Sequence, residues 1–416
     1  MAASAVSMTG LCTVDVASVF TPMGWLVLGV LMQIGALGVL TFTSFFAMFF
    51  SGRASIYSQI LMRDFIYSKS IGALMPVILY ILVFTLVVEA GGALAIYLTL
   101  PEGFGGTIGE RAVFESFHSV SAFCNAGFST LPAGMADPAL LNGNQAIYYV
   151  LSVLILAGGI GFPNLVNFKD VAVERLRRLQ GLLLWRRVPR RVHVYDLNTR
   201  LVLVMTAILF VFGVCMFYVL EYNHAFAHLP MGKRIAQAVF CSATVRTAGF
   251  CTYGPDSWLG VTMLLAMFLM WIGCASQSMG GGIKVNAFAA VVLNLRSLIL
   301  GQKGVTVYER TIAPSSIRRA NAVVCLSVFA IFCYSCVLML LQPELPMKAV
   351  MFESFSAVTT IGMSLGITPE LSDLSKVVVA SAMFLGRVGI ISVLCGIAGT
   401  APDRSRMLPS DDIIIN

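Results

Sequence analysis

Ser121-Ala-Phe-Cys-Asn-Ala-Gly127-Phe-Ser129 decides the fold, because the chain carries this stretch four times with variations. The other copies are Ser4-Ala-Val-Ser-Met-Thr-Gly10-Leu-Cys12, Ala243-Thr-Val-Arg-Thr-Ala-Gly249-Phe-Cys251 and Ser356-Ala-Val-Thr-Thr-Ile-Gly362-Met-Ser364. Each has a small or hydroxyl residue six positions before the glycine, an apolar residue directly after it, and Ser or Cys next. Subtracting the glycine numbers gives spacings of 117, 122 and 113 residues. That is room for a loop and two bilayer-spanning helices of roughly 20 residues each.

A single glycine among apolar residues would be read as a close-packing position between helices. Four in matched context suggest a different use. Backbone that is neither helix nor strand survives at membrane depth only where it lines a cavity, and a dehydrated cation needs a ring of carbonyl oxygens in place of its water. Glycine supplies the φ values that aim carbonyls inward. The short helix ahead of each glycine, such as residues 113–122, directs its C-terminal partial negative charge toward the same place. The expected ion-binding positions are therefore Ser7, Met8, Thr9 and Gly10; Cys124, Asn125, Ala126 and Gly127; Arg246, Thr247, Ala248 and Gly249; and Thr359, Thr360, Ile361 and Gly362. Arg246 would repel cations if it faced that path, so it is expected to point behind the loop and brace it.

Composition places the surrounding chain in lipid. Of 416 residues, 58% are hydrophobic and 11% charged, with a mean hydropathy of +0.87, against about a quarter charged in soluble domains. Apolar runs fit spans at 24–50, 71–98, 146–168, 201–220, 257–295, 322–341 and 377–398. Shorter semi-polar pieces at 114–129, 235–251 and 351–365 read as re-entrant.

The net charge of +7 is not a nucleic-acid signal, because basic residues sit at helix ends rather than on a soluble face with interleaved aromatics. Arg53, Arg63, Lys69 and the basic residues of 169–200, 296–319 and 404–406 make up 19 of the 27 Lys and Arg. The opposite face keeps Arg111, Lys233, Arg234, Arg246, Lys348 and Lys376. The positive-inside rule then puts the re-entrant pieces on the non-cytoplasmic side. Lys284 and Arg387 remain within the membrane.

Ten scattered cysteines lack metal or redox spacing and read as small hydrophobes. The four histidines are too dispersed for a metal site, and no signal peptide is visible. An intramembrane enzyme would need paired acids, a Ser/His pair or a His-rich motif on neighbouring spans, and none is present. Glu115 and Glu353 fit either a negative outer vestibule or hydrogen bonds to loop backbone. The tetrapeptides at 114–117 and 352–355 are alike but precede their glycines by different distances, so that likeness is accidental in register.

Two features suggest control of a path. Gly280, Gly281 and Gly282 follow one another inside the apolar run 257–295, where each costs close to 1 kcal/mol in a helix, so the run is expected to break there. Arg387 sits mid-span, at roughly 2.5 to 3.5 kcal/mol on insertion scales, and such residues usually face a cavity. Its fixed charge would lower cation occupancy. A purely structural pairing with loop carbonyls is the other reading. Lys284, nearer the cytoplasmic mouth, is expected to act similarly.

Together with Gly159-Ile-Gly-Phe-Pro163, Gly280-Gly-Gly-Ile-Lys-Val285 and Asp411-Asp-Ile-Ile-Ile415, these motifs resemble the Trk/Ktr/HKT superfamily of potassium and sodium transporters over nearly the whole chain, most closely the bacterial Ktr and Trk membrane subunits. The resemblance implies an all-α integral membrane fold of four membrane-pore-membrane repeats around a central cation pore. It places repeat 1 at 1–50 with its first outer helix missing, repeat 2 at 71–168, a basic cytoplasmic loop at 169–200, repeat 3 at 201–295 with a broken inner helix, repeat 4 at 321–398 and a cytoplasmic tail at 399–416. The missing helix is expected to reflect a start codon assigned too late; the alternative is a non-conducting fragment.

The resemblance further implies potassium translocation across the bacterial cytoplasmic membrane, with the glycine-rich break as a movable plug. Serine replaces the first glycine in the sodium-selective plant branch, and here that position is Gly10. Channel-like uniport and sodium- or proton-coupled symport both remain open. No nucleotide-binding fingerprint occurs in the chain, and no cofactor is expected in it. The expected partners are a second copy in a homodimer, membrane lipid, and a separate cytosolic ring that binds ATP, ADP or NAD and docks at the basic residues 175–191 and the tail 409–416. The same basic residues also suit topology and anionic lipid alone.

Overall fold

The computed structural model describes residues 1–38, 74–101, 104, 107–183, 196–302 and 304–389. These are mostly helical, with one short β-hairpin, Thr306–Val307 (β1) and Arg310–Thr311 (β2). In chain order the helices are α1 Ala2–Val6, α2 Val16–Val19, α3 Pro22–Leu37, α4 Leu74–Thr99, α5 Ile108–Phe123, α6 Pro138–Asn142, α7 Ala146–Gly159, α8 Phe162–Leu183, α9 Leu197–Leu220, α10 Met231–Thr247, α11 Gly260–Trp271, α12 Val285–Ile299, α13 Pro314–Leu341, α14 Met347–Thr359 and α15 Asp373–Val388.

Helix starts follow local chemistry. The Thr21 side chain accepts from Gly24 N with Pro22 at the first turn, Thr107 and Glu110 form a reciprocal capping box, and the Ser372 hydroxyl accepts from Ser375 N. Three helices, Leu79–Thr99 within α4, α9 and α13, are long and apolar enough to cross a bilayer, and only 28% of each apolar window is buried. On α4, Leu79, Val83, Leu86, Val87 and Leu94 are each more than half exposed. An apolar face turned outward on this scale is what lipid contact requires.

The seven expected spans are thus not seven straight helices. The run 146–168 is broken at Ile160 and Gly161, and α8 leaves α7 at 98°. Gly161 has a φ of +88°, and a Cβ there would lie 2.7 Å from Ser276 O, so loop backbone occupies the elbow. Residues 169–183, expected as loop, continue α8 as helix. The run 257–295 is interrupted by residues 272–284 between α11 and α12, as its three glycines suggested. The second halves of the 24–50 and 377–398 runs, the basic residues of 184–195 and the tail 399–416 lie outside the described residues.

Long helices pack on the shorter helices that follow them: α4 on α5, α9 on α10 and α13 on α14. Between these groups, α3 meets α5, α7 meets α10, α11 meets α14, and α15 returns to α1. The contacts therefore close on themselves, with α1, α5, α10 and α14 all ending near the middle.

Candidate functional site: a closed ring of glycine loops

The four glycines meet through backbone. A Cβ placed on Gly10 would lie 2.4 Å from Ala126 O, on Gly127 2.1 Å from Ala248 O, on Gly249 2.0 Å from Ile361 O, and on Gly362 1.8 Å from Thr9 O. Each contact runs to the residue just before the next copy's glycine, and the fourth returns to the first. The glycine φ values are +91°, +72°, +76° and +89°. Both the conformation and the space therefore exclude a side chain.

The helices feeding the ring end in a recurrent way. Thr9 N, Ala126 N and Ile361 N donate back to Ser4 O, Ser121 O and Ser356 O at 2.9, 2.8 and 3.0 Å. Met8, Asn125 and Thr360 take left-handed φ values of 53°, 56° and 52°. This is a Schellman termination with a non-glycine residue at the left-handed position. The third copy differs by one residue: α10 runs on through Thr247, and Gly249 N itself closes on Thr244 O at 3.2 Å. The hydroxyls of the motif brace these turns. Gly10 N and Gly362 N each donate to a serine, Ser4 and Ser356, at 3.0 Å, while the Ser121 and Thr244 hydroxyls donate to Phe128 O and Phe250 O at 2.8 and 2.9 Å.

Other ring side chains turn into the protein. Ser7 and Thr9 share a 2.7 Å hydroxyl contact, Thr247 contacts Cys274 Sγ at 3.3 Å, and Thr359 donates to Phe355 O at 2.6 Å. The Asn125 amide donates to Ala122 O and Ile155 O, both at 3.1 Å. Arg246 is buried behind the loop, donating to Thr206 O at 3.4 Å and Gly273 O at 3.5 Å.

Residues 272–284 lie against this ring. A Cβ on Gly280 would meet Thr247 Cγ2 at 2.5 Å, and one on Gly281 would meet Thr360 Oγ1 at 1.8 Å. The other side of the segment is stitched to the elbow after α7: Ala275 N donates to Gly159 O (3.1 Å), Met279 N to Gly158 O (3.3 Å), and Phe162 N to Gln277 O (3.1 Å). Arg387 donates to Met279 O at 2.7 Å and to Gly35 O at 2.6 Å, and Lys284 donates to Gly280 O at 2.6 Å. Both half-buried cations thus hold carbonyls of the segment, and Arg387 also ties it to α3. A cavity of about 190 Å³ adjoins it, lined by Trp271, Lys284, Ser327, Thr359 and Arg387 among others.

The family model for TrkH, described as a cation transport protein, matches residues 1–413. The Ktr system potassium uptake protein B of Bacillus subtilis is 30% identical over 407 residues, 97% of this chain and 86% of that protein. The potassium/sodium uptake protein NtpJ of Enterococcus hirae is 30% identical over 403 residues, 94% and 83% of the two chains. A crystal structure of the potassium transporter TrkH from Vibrio parahaemolyticus superposes with a TM-score of 0.71 at 18% identity, covering 97% of this chain and 77% of the other. The chain belongs to the TrkH family of cation transport proteins. With its bilayer-length apolar helices, this TrkH-family chain is a multi-pass membrane protein of a transporter rather than an enzyme family.

Several residues of this TrkH-family site escaped the sequence reading. Gly35, Gly158 and Gly386 would each carry a Cβ 1.9 to 2.1 Å from the carbonyl four residues before a ring glycine, those of Val6, Phe123 and Val358. They let α3, α7 and α15 press on the last turn of α1, α5 and α14. Glu353 belongs neither to a vestibule nor to loop backbone: fully buried, it accepts from Ser364 at 2.7 Å and from Thr368. His118, nine residues before its glycine as Glu353 is before its own, bonds Ser129 at 2.9 Å and is held by Phe114 O at 2.8 Å. The internal repeat was the available signal, since both partners are the serine two residues past the glycine. Glu115 instead pairs with Arg111 at 3.3 Å. Cys12 and Cys251 are not merely small hydrophobes, because their thiols reach Gly10 O and Gly249 O at 3.2 and 3.6 Å.

Proposed function

We propose that the chain translocates potassium across the bacterial cytoplasmic membrane, with the glycine ring as selectivity filter of four membrane-pore-membrane repeats. The observation that carries this reading is the cyclic contact of Gly10, Gly127, Gly249 and Gly362. Four backbone segments in non-helical conformation, closed on one another at membrane depth, are what a carbonyl ion cage requires. The helices α1, α5, α10 and α14 end within five residues of those glycines, so their C-terminal partial charges favour a cation there. The names of the relatives, potassium uptake and potassium/sodium uptake, support the same ion class.

Residues 272–284 form the movable plug in this reading, with Arg387 and Lys284 as its clasp and as an electrostatic barrier. The working unit is a homodimer docked on a separate nucleotide-binding ring, an assembly in keeping with relatives named as one protein of a Ktr system. Expression in a bacterial strain stripped of potassium uptake should restore growth at low potassium. Purified protein in liposomes should pass potassium and rubidium in preference to sodium, more so with the soluble subunit and its nucleotide. Equal potassium and sodium fluxes would refute the filter assignment.

A further inference from the structure

A cavity of about 530 Å³ lies between α11, α13 and α14. Leu264 and Trp271 of α11, Phe332 and Met339 of α13, and Met347 and Phe355 of α14 mark its extent. Leu264, Val328, Phe332 and Met347 line it and are each more than half exposed, so its mouth opens on the apolar surface that faces lipid.

The lining excludes most occupants. No charged residue contributes to it. The Ser335 hydroxyl already donates to Ile331 O at 2.9 Å, and the Trp271 indole N–H to Ser327 Oγ at 3.0 Å. The Cys336 thiol and the methionine sulfurs that remain are weak hydrogen-bonding groups. Water needs two to four polar partners, and a polar solute would leave its own groups unpaired. Trp271 and Ile331 also line the smaller cavity beside Lys284 and Arg387, so they form the floor that separates the two. From Met347 to Phe355 the wall runs about 12 Å at 1.5 Å per residue. That is most of the roughly 15 Å that the hydrocarbon of one leaflet occupies. A dry pit of this depth, open to lipid, matches one acyl chain.

The rim complements a headgroup. It lies where the bilayer-spanning α13 ends and α14 begins. Lys348 follows Met347 there, and Glu344 stands three residues before Met347. Both are exposed, and neither has a hydrogen bond or ion pair among the described residues. Helix α14 starts after Pro346 with no capping side chain and no acidic residue in its first turn, which leaves backbone amides that favour an anion. A phosphate therefore fits at Lys348 and an ammonium at Glu344.

We propose that this cavity binds one acyl chain of a membrane phospholipid, with the lipid phosphate at Lys348 and the ammonium of an ethanolamine headgroup at Glu344. The site needs only the membrane setting and is independent of the potassium reading. The end of the chain rests on Trp271, whose carbonyl accepts from Ile283 N at 3.1 Å. An occupied site thus buttresses the residue from which segment 272–284 departs.

The test titrates the detergent-solubilised protein with phosphatidylethanolamine carrying brominated acyl chains, which quench tryptophan on contact. The chain has four tryptophans, and the difference between wild type and Trp271→Phe isolates the signal of Trp271. That signal should be quenched saturably, at one lipid per chain counted by native mass spectrometry. Cys336→Phe fills the pit and should bind one lipid fewer, with Trp271 unquenched. Lys348→Glu, on the exposed rim, keeps the test decisive if the filled variant does not insert. It should weaken binding about fivefold, the scale of one Lys at a membrane surface. Phosphatidylglycerol, which lacks the ammonium, should bind more weakly than phosphatidylethanolamine, and equal or tighter binding overturns the headgroup assignment. Quenching that never saturates, or equal lipid counts in wild type and Cys336→Phe, is ordinary contact with surrounding lipid and overturns the site. Loss of dimers in Cys336→Phe at an unchanged lipid count would give the cavity to a second copy of the chain and overturn it as well.

Discussion

Alanine at each ring glycine in turn should cost in a fixed order, because the four positions differ in how far backbone must retreat. Opening the Cβ–oxygen contact to 3.0 Å takes 0.6 Å at Gly10, from 2.4 Å, and 1.2 Å at Gly362, from 1.8 Å, with Gly127 and Gly249 between. The positive φ adds about 1 to 2 kcal/mol at every position. The displacement part grows roughly as its square, so about 1 kcal/mol at Gly10 implies about 4 at Gly362. The φ cost is common to all four, so on the displacement part alone, at about 1.4 kcal/mol per factor of ten, potassium-over-sodium preference should fall by about fivefold for Gly10→Ala. For Gly362→Ala it should fall by more than about a hundredfold, or conduction should be lost. Gly10→Ser, which also brings a hydroxyl to the ring, should raise the sodium share further than Gly10→Ala. The assay is competitive uptake of potassium, rubidium and sodium into liposomes, with insertion checked by size-exclusion chromatography. Equal losses at all four positions, or a larger loss at Gly10 than at Gly362, would refute the idea that the ring is closed by these contacts.

Arg387→Ala removes charge-assisted bonds to Met279 O and Gly35 O, each worth about 1.5 to 3 kcal/mol. Flux should increase at unchanged selectivity, as it should on deleting residues 279–282; a correctly inserted Arg387→Ala protein with wild-type flux would count against the clasp. Glu353→Ala leaves Ser364 and Thr368 without their buried acceptor, a loss of about 1 to 3 kcal/mol each. It should lower the unfolding temperature in detergent, with Glu353→Gln closer to the wild type, and an unchanged temperature would show that the carboxylate is not a brace.

The sequence alone determined the setting and the parts: apolar runs that require lipid, four glycine motifs at near-equal spacing, a helix broken at Gly280, Gly281 and Gly282, and a mid-span Arg387. These were legible because composition, repetition and helix-breaking residues are local properties. Which backbone closes on which is not local. Only the tertiary structure brought Gly362 against Thr9 and Gly10 against Ala126, seated Arg387 on Met279 O, and turned α8 by 98° away from what reads as one continuous span. It also separated two similar tetrapeptides, leaving Glu115 to pair with Arg111 while Glu353 braces the ring from behind. The physical reason is that buried polar groups in a membrane must find partners. Which partners those are depends on helices more than a hundred residues apart in the chain, as Arg387 and Met279 are.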